Sequence, residues 1–180
     1  MRFQGSTHLL ILVGGNPEFP YTKFQHIIEG LGLTLNSEKT RLVEAERGFD
    51  FLGFRFVRQY SQWRKKRVTR WFPSPKSEKR IREKILNLTN NRARSLMTPE
   101  DAKDILIPVL RGWGNYFAHS LASKVFSDTW SYAQDRIMYM HCRQHNMQST
   151  WKNRNIKKLG LSIMDTMPQT FLGKRHNTKS

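Results

Sequence analysis

Cysteine is nearly absent: Cys142 stands alone among 180 residues. A lone thiol excludes an internal disulfide framework and any zinc site built on several thiolates. Long apolar runs are missing as well. The longest, Leu9-Leu10-Ile11-Leu12-Val13, has five residues, far short of the roughly 20 that span a bilayer. No apolar stretch followed by a small-residue cleavage site marks a secretory leader. Acid is scarce, with 14 Asp and Glu against 31 Lys and Arg, a formal charge of +17. Charge of that size repels itself unless an anion neutralises it. With no membrane segment, nucleic acid is the expected partner, in a reducing, cytoplasmic compartment of bacterial type or in an organelle.

The charge is unevenly placed. Residues 1–54 sum to −1, residues 55–94 to +12 and residues 95–180 to +6. A solvated face normally mixes signs, and the middle stretch does not. It begins where a β pattern ends.

Residues 9–13, stopped by Gly14-Gly15-Asn16-Pro17, read as a buried strand entering a turn. Phe24, Ile27, Ile28 and Leu31 have helical spacing, with glycines 30 and 32 as the stop. Leu33 and Leu35, then Leu42 and Val43, suggest strand, turn, strand. Residues 49–57 predict one strand with phenylalanines on both faces, Gly53 marking either a bulge or a place where another backbone comes close. Residues 63–72 would pair with it through a turn at residues 59–62, giving a hairpin in which basic and aromatic side chains alternate.

From Pro73 the period becomes helical. Ser74 predicts an N-cap with Pro75 first in a helix whose stripe is Ile81, Ile85 and Leu88. Thr98-Pro99-Glu100-Asp101 is a stronger start, an N-cap followed by proline and first-turn acids. Its stripe is Ala102, Ile105, Leu106, Val109, Leu110 and Trp113; Pro108 should kink it, and Gly112 and Gly114 should break it. A third helix is predicted from about Ser123 to His145, with Val125, Phe126, Trp130, Ala133, Ile137 and Met140 inward. The expected fold class is α+β: a small antiparallel β-rich piece over residues 1–72, a three-helix domain over 73–150, and a flexible basic tail over 151–180.

Three stretches carry a resemblance. Gly32-Leu33-Thr34-Leu35-Asn36-Ser37-Glu38-Lys39-Thr40, followed by Gly48-Phe49-Asp50-Phe51-Leu52-Gly53-Phe54, resembles the rear of the palm in group II intron reverse transcriptases. Pro73-Ser74 and the basic helix after it resemble the start of their thumb, and Arg111-Gly112-Trp113-Gly114-Asn115-Tyr116-Phe117 resembles the signature of their maturase-specific domain X. The resemblance implies RNA as partner, above all group II intron RNA, or an RNA/DNA primer–template duplex. It also implies that Phe51, Leu52, Gly53 and Phe54 match the family's primer grip. In the family a Tyr-x-Asp-Asp motif, whose aspartates hold two magnesium ions, precedes the strand matching residues 9–13. Here those positions read Gly5-Ser6-Thr7-His8. Thr7 and His8 cannot replace two carboxylates as hard ligands for divalent cations, and Glu18 and Glu29 lie in the wrong local context. No catalytic residue is therefore assigned. Magnesium is expected only in a complete polymerase, and the chain reads as a truncated or degenerate copy, or one complemented by a separate chain that supplies fingers and palm.

Phosphate contacts are expected from Arg64, Lys65, Lys66, Arg67 and Arg70 on the hairpin, and from Lys76, Lys79, Arg80 and Lys84 on the first basic helix, with Arg111 beyond. Trp71, Asn115 and Tyr116 are the candidates for meeting unstacked bases or 2′-hydroxyls. Packing alone would equally place Trp113, Tyr116 and Phe117. His141, Cys142 and His145 share helical spacing, but no carboxylate or second thiol completes a metal site, so no metal is assigned. Two readings compete with an intron-RNA binder: part of an RNA-directed DNA polymerase, and a generic basic nucleic-acid-binding domain. Given magnesium, nucleoside triphosphates and a primed RNA template, the purified chain is expected to make no extension product; processive extension would contradict that.

Overall fold

The computed structural model describes residues 10–11, 13–15, 18–36, 40–90, 97–146 and 159–172. The order is α1 (Glu18–Gly30), β1 (Phe49–Phe51), β2 (Phe54–Ser61), β3 (Lys66–Pro73), α2 (Pro75–Asn90), α3 (Pro99–Tyr116) and α4 (Ser123–Gln144). Two 3₁₀ turns, Met164–Thr166 and Gln169–Leu172, follow. The fold is α+β, a three-stranded antiparallel meander ahead of a helical domain.

The core lies among the last three helices. Ile81 and Ile85 of α2, Ala102, Leu106 and Leu110 of α3, and Phe126, Trp130, Ala133, Ile137 and Met138 of α4 are buried together. Both predicted helix starts are present. The Ser77 amide donates to Ser74 Oγ at 3.2 Å. Thr98 Oγ1 accepts from the Asp101 amide at 3.1 Å, while Asp101 Oδ2 accepts from the Thr98 amide at 2.9 Å. These hydrogen bonds to Thr98 hold the Asp101 carboxyl below the usual range. The cap is therefore complete near neutrality and weakens as pH falls through that lowered value.

Several expectations are corrected. Leu10, Ile11 and Val13 form no strand and are exposed, while Leu9 and Leu12 lie outside the described residues. A buried strand needs neighbours to bond and faces to cover it, and no described strand of the β1-β2-β3 sheet pairs with these residues. For the same reason Leu33, Leu35, Leu42 and Val43 are not in strands. Helix α1 exists, yet buries no residue.

The segment 49–57 is not one strand. Leu52 and Gly53, at φ of +46° and +81°, form the two-residue turn between β1 and β2, where left-handed residues match the twist of the flanking strands. Phe51 therefore opposes Phe54 and Phe49 opposes Phe56. Directly opposed residues share a face, so all four phenylalanines stand on one side, with the Phe49 and Phe56 rings stacked 5.3 Å apart. The second turn falls at residues 62–65 rather than 59–62, with Lys65 left-handed at φ +48°.

Helix α3 runs uninterrupted through Pro108, Gly112 and Gly114. Gly112 faces open space, whereas a Cβ on Gly114 would overlap the Phe171 ring. The last correction follows from that contact. Residues 159–172 do not behave as a tail: Leu161, Ile163, Met167 and Phe171 are buried in the core. The Gln134 amide clasps this segment, donating to the Leu161 carbonyl at 3.0 Å and accepting from the Ile163 amide at 2.7 Å. Phe171 stacks on Phe126 at 4.8 Å. The rest of the predicted tail, residues 151–158 and 173–180, lies outside the described residues.

The two glycines should respond oppositely to alanine. Gly112→Ala should stabilise by up to about 1 kcal/mol through helix propensity. Gly114→Ala should destabilise by about 1–3 kcal/mol through overpacking against Phe171. Urea denaturation checks both, and equal responses would contradict the Phe171 contact.

Candidate nucleic-acid interface

The hairpin of β2 and β3 is an arm, and its base is the turn at Leu52 and Gly53. The Gly53 carbonyl accepts from the Ser74 amide at 2.8 Å and from the Ser77 hydroxyl at 2.9 Å. The Leu52 carbonyl accepts from the Tyr116 hydroxyl at 2.8 Å. The Phe54 ring stacks on Tyr116 at 5.4 Å and meets the edge of Phe117 at 4.7 Å. On β3, the Trp71 indole donates to the His119 carbonyl at 3.0 Å, and the Leu121 amide donates to the Trp71 carbonyl at 3.0 Å. Phe51, Leu52, Gly53 and Phe54 thus sit at the joint between sheet and helices. A Cβ at Gly53 would lie 3.0 Å from Ser77 Oγ and 3.5 Å from Phe117, so the close approach made there is to the protein itself. The Leu52 side chain faces solvent.

From this joint, the seven residue steps of β3 carry the chain about 23 Å to the tip at the rise of an extended strand. Alternation along β3 puts Arg67, Thr69 and Trp71 on the phenylalanine face, and Lys66, Val68, Arg70 and Phe72 on the other. Basic side chains therefore project from both faces of the arm rather than forming one flat patch. Arg64, Lys65, Lys66, Arg67 and Arg70 are all exposed. Arg67 reaches Glu46 at 2.9 Å, with Arg58 at 3.8 Å from the same carboxylate. Glu46 is held below its usual range by its own backbone N–H, with further help from these two arginines. Among the described residues, Arg64, Lys65, Lys66 and Arg70 have no ion-pair partner.

Helix α2 sorts its charges by side. Lys76, Arg80 and Lys84, at four-residue spacing, form one exposed row without acidic partners among the described residues. Lys79 lies on another side, 3.8 Å from Glu83. There Glu78, Arg82 and Tyr132 of α4 line a shallow groove, with the Arg82 guanidinium 5.2 Å from the Tyr132 ring centroid. Burial raises the Glu78 carboxyl pKa, and Asp128 adds to the shift while Arg82 opposes it. Mixed sign makes that groove a poor receiver of polyanions.

Arg111 and Asn115 lie one turn apart on exposed positions of α3. Tyr116 also remains exposed, although its hydroxyl and one ring face serve the joint. Trp113 and Phe117 pack inward, Trp113 against Phe126 at 5.6 Å and Phe117 at 5.1 Å. The candidate residues therefore fall into three groups: the arm, the α2 row, and the solvent side of α3. The sequence pattern had not singled out Trp63, which stands in the tip turn and is 83% exposed; its signal is a tryptophan followed directly by four basic residues.

The His141 and His145 rings are 4.4 Å apart, with Cys142 buried beside them. Among the described residues, no group of three or more His, Cys, Asp or Glu is placed to hold a metal. No described helix is long and apolar enough to cross a membrane. Gly5, Ser6, Thr7 and His8 lie outside the described residues.

No curated protein matches the chain in a sequence search. The family model of the group II intron maturase-specific domain matches residues 78–160. The matched span holds nearly all of α2, the whole of α3 and α4, and the Arg111-to-Phe117 signature, while the arm precedes it. The helical domain that seats Phe171, packs Trp113 inward and holds a hairpin through Tyr116 thus matches, over residues 78–160, the maturase-specific domain of group II introns, and that match supports a relation to the C-terminal region of a group II intron maturase.

Proposed function

We propose that this maturase-related chain binds the structured RNA of a group II intron through the arm and the basic row of α2, helping that RNA fold or splice without a polymerising site of its own. The observation that carries the reading is the set of exposed cations left without ion-pair partners among the described residues. Arg64, Lys65, Lys66 and Arg70 stand on the arm and Lys76, Arg80 and Lys84 on α2. Cations facing water without partners gain most from phosphate, because each contact releases condensed counterions. An arm basic on both faces suits a groove or a junction between RNA helices better than a flat surface. An RNA/DNA duplex presents the same phosphate chemistry and is the second substrate this surface would accept. Arg111 and Asn115 extend the interface along α3, with Asn115 free to reach a 2′-hydroxyl or base edge.

Salt dependence tests the surface. Replacing Arg64, Lys65, Lys66 and Arg67 together by glutamine should lower affinity and reduce the slope of log K against log salt by about 0.7–0.9 for each phosphate no longer neutralised. The control is Arg47→Gln, since Arg47 is paired with Glu44 at 3.0 Å and should leave the slope unchanged. An unaltered slope in the fourfold variant would remove the arm from the interface. Competition of labelled intron RNA by excess tRNA then separates intron preference from generic binding, with weak competition expected and equal competition favouring the generic domain.

A further inference from the structure

Trp63 is the most exposed large apolar side chain among the described residues, at 83%. A tryptophan left in water forgoes the burial that usually places this residue. Its backbone is well held: β2 and β3 pair up to Ser61 and Lys66, the Arg64 amide donates to Ser61 Oγ at 3.3 Å, and Lys65 closes the turn in the left-handed region. The guanidinium carbon of Arg64 lies 5.8 Å from the Trp63 ring centroid, over one face. The opposite face is open.

We infer that Trp63 is a base-stacking residue: an unpaired RNA base seats on the open face of its indole, completing a sandwich with Arg64, while Lys65 and Lys66 take the flanking phosphates. This rests on the RNA-binding reading above and adds to it the kind of RNA. Charge decides the occupant, since an aromatic ring ringed by cations suits a ligand that is itself aromatic and anionic, and a nucleotide is both. Base pairing decides the rest, because a continuous duplex hides its π faces while a loop, bulge or junction presents them. Trp71 is less suited to this role. Its indole N–H is already committed to His119 and the side chain is only 37% exposed. Phe19, 77% exposed on α1, has Glu18 as neighbour and no basic cluster.

The test compares an RNA stem carrying an internal loop of unpaired adenosines with the same stem fully paired, at low salt. Wild type, Trp63→Ala and Trp63→Phe are each measured, and 2-aminopurine in the loop reports stacking by quenching. Wild type should prefer the looped RNA and quench the probe. Trp63→Ala should lose roughly 5- to 150-fold on the looped RNA and less than about twofold on the paired stem, with the quench gone, while Trp63→Phe keeps most of both. Equal losses on the two RNAs, or loop preference and quenching unchanged in Trp63→Ala, would overturn the Trp63 assignment and leave the RNA-binding reading standing. Failure of the wild type to bind either RNA would overturn both.

Discussion

Three hydrogen bonds to two consecutive carbonyls hold this molecule's parts in register. The turn at Leu52 and Gly53 offers its two oxygens outward, and Ser74, Ser77 and Tyr116 each donate to one of them. Ser74 and Ser77 belong to the start of α2, Tyr116 to the end of α3, so the turn ties the sheet to two helices at once. Each bond contributes about 1 kcal/mol net, and the Phe54 ring against Tyr116 and Phe117 adds apolar burial. Together with the Trp71 bonds to His119 and Leu121, this joint fixes the direction of the arm relative to the helical domain.

The signature from Arg111 to Phe117 gains a physical meaning from its place at the joint. Around little more than one turn of α3, Gly114 makes room for Phe171, Trp113 and Phe117 face inward, and Tyr116 faces the arm. Arg111, Gly112 and Asn115 are left to solvent. The motif is thus largely a packing device, and its exposed members continue the cationic surface. The acids complete the picture by what they neutralise: Glu46 takes up Arg67 and Arg58, Asp50 takes up Arg55, and Glu83 approaches Lys79. Among the described residues of the arm and α2, the cations left without an ion pair are Arg64, Lys65, Lys66 and Arg70 on the arm, Lys76, Arg80 and Lys84 along one row of the helix, and Arg82, whose guanidinium lies over Tyr132.

Periodicity and caps made the helical domain readable from the sequence, because Thr98 with Asp101, and Ser74 with Pro75, act locally whatever surrounds them. The arm was readable in outline, yet the turn at Leu52 and Gly53 was not. A leucine in left-handed backbone is a tertiary outcome, accompanied by the bond its carbonyl accepts from Tyr116. Gly112 and Gly114 look alike in sequence, and only the distant Phe171 separates them. Residues 159–172 escaped notice because Leu161, Ile163, Met167 and Phe171 follow neither a strand nor a helix period; they are held by side chains from other elements, Gln134 above all. The apolar positions at residues 9–13 and 33–43 predicted strands, yet among the described residues none of them pairs with the β1-β2-β3 sheet. In the candidate interface, the exposed cations were legible from charge alone, whereas the exposure of Trp63 emerged only once the tip turn was known.

Lysine reactivity on bound RNA tests the central claim most directly. Acetylation of the free chain and of its complex with structured intron RNA, read residue by residue by mass spectrometry, reports which ammonium groups the RNA covers. Lys65, Lys66, Lys76 and Lys84 should become protected, while Lys23 on α1 and Lys124 at the start of α4 stay reactive. Protection of Lys23 and Lys124 with the arm and the α2 row left reactive would contradict the account.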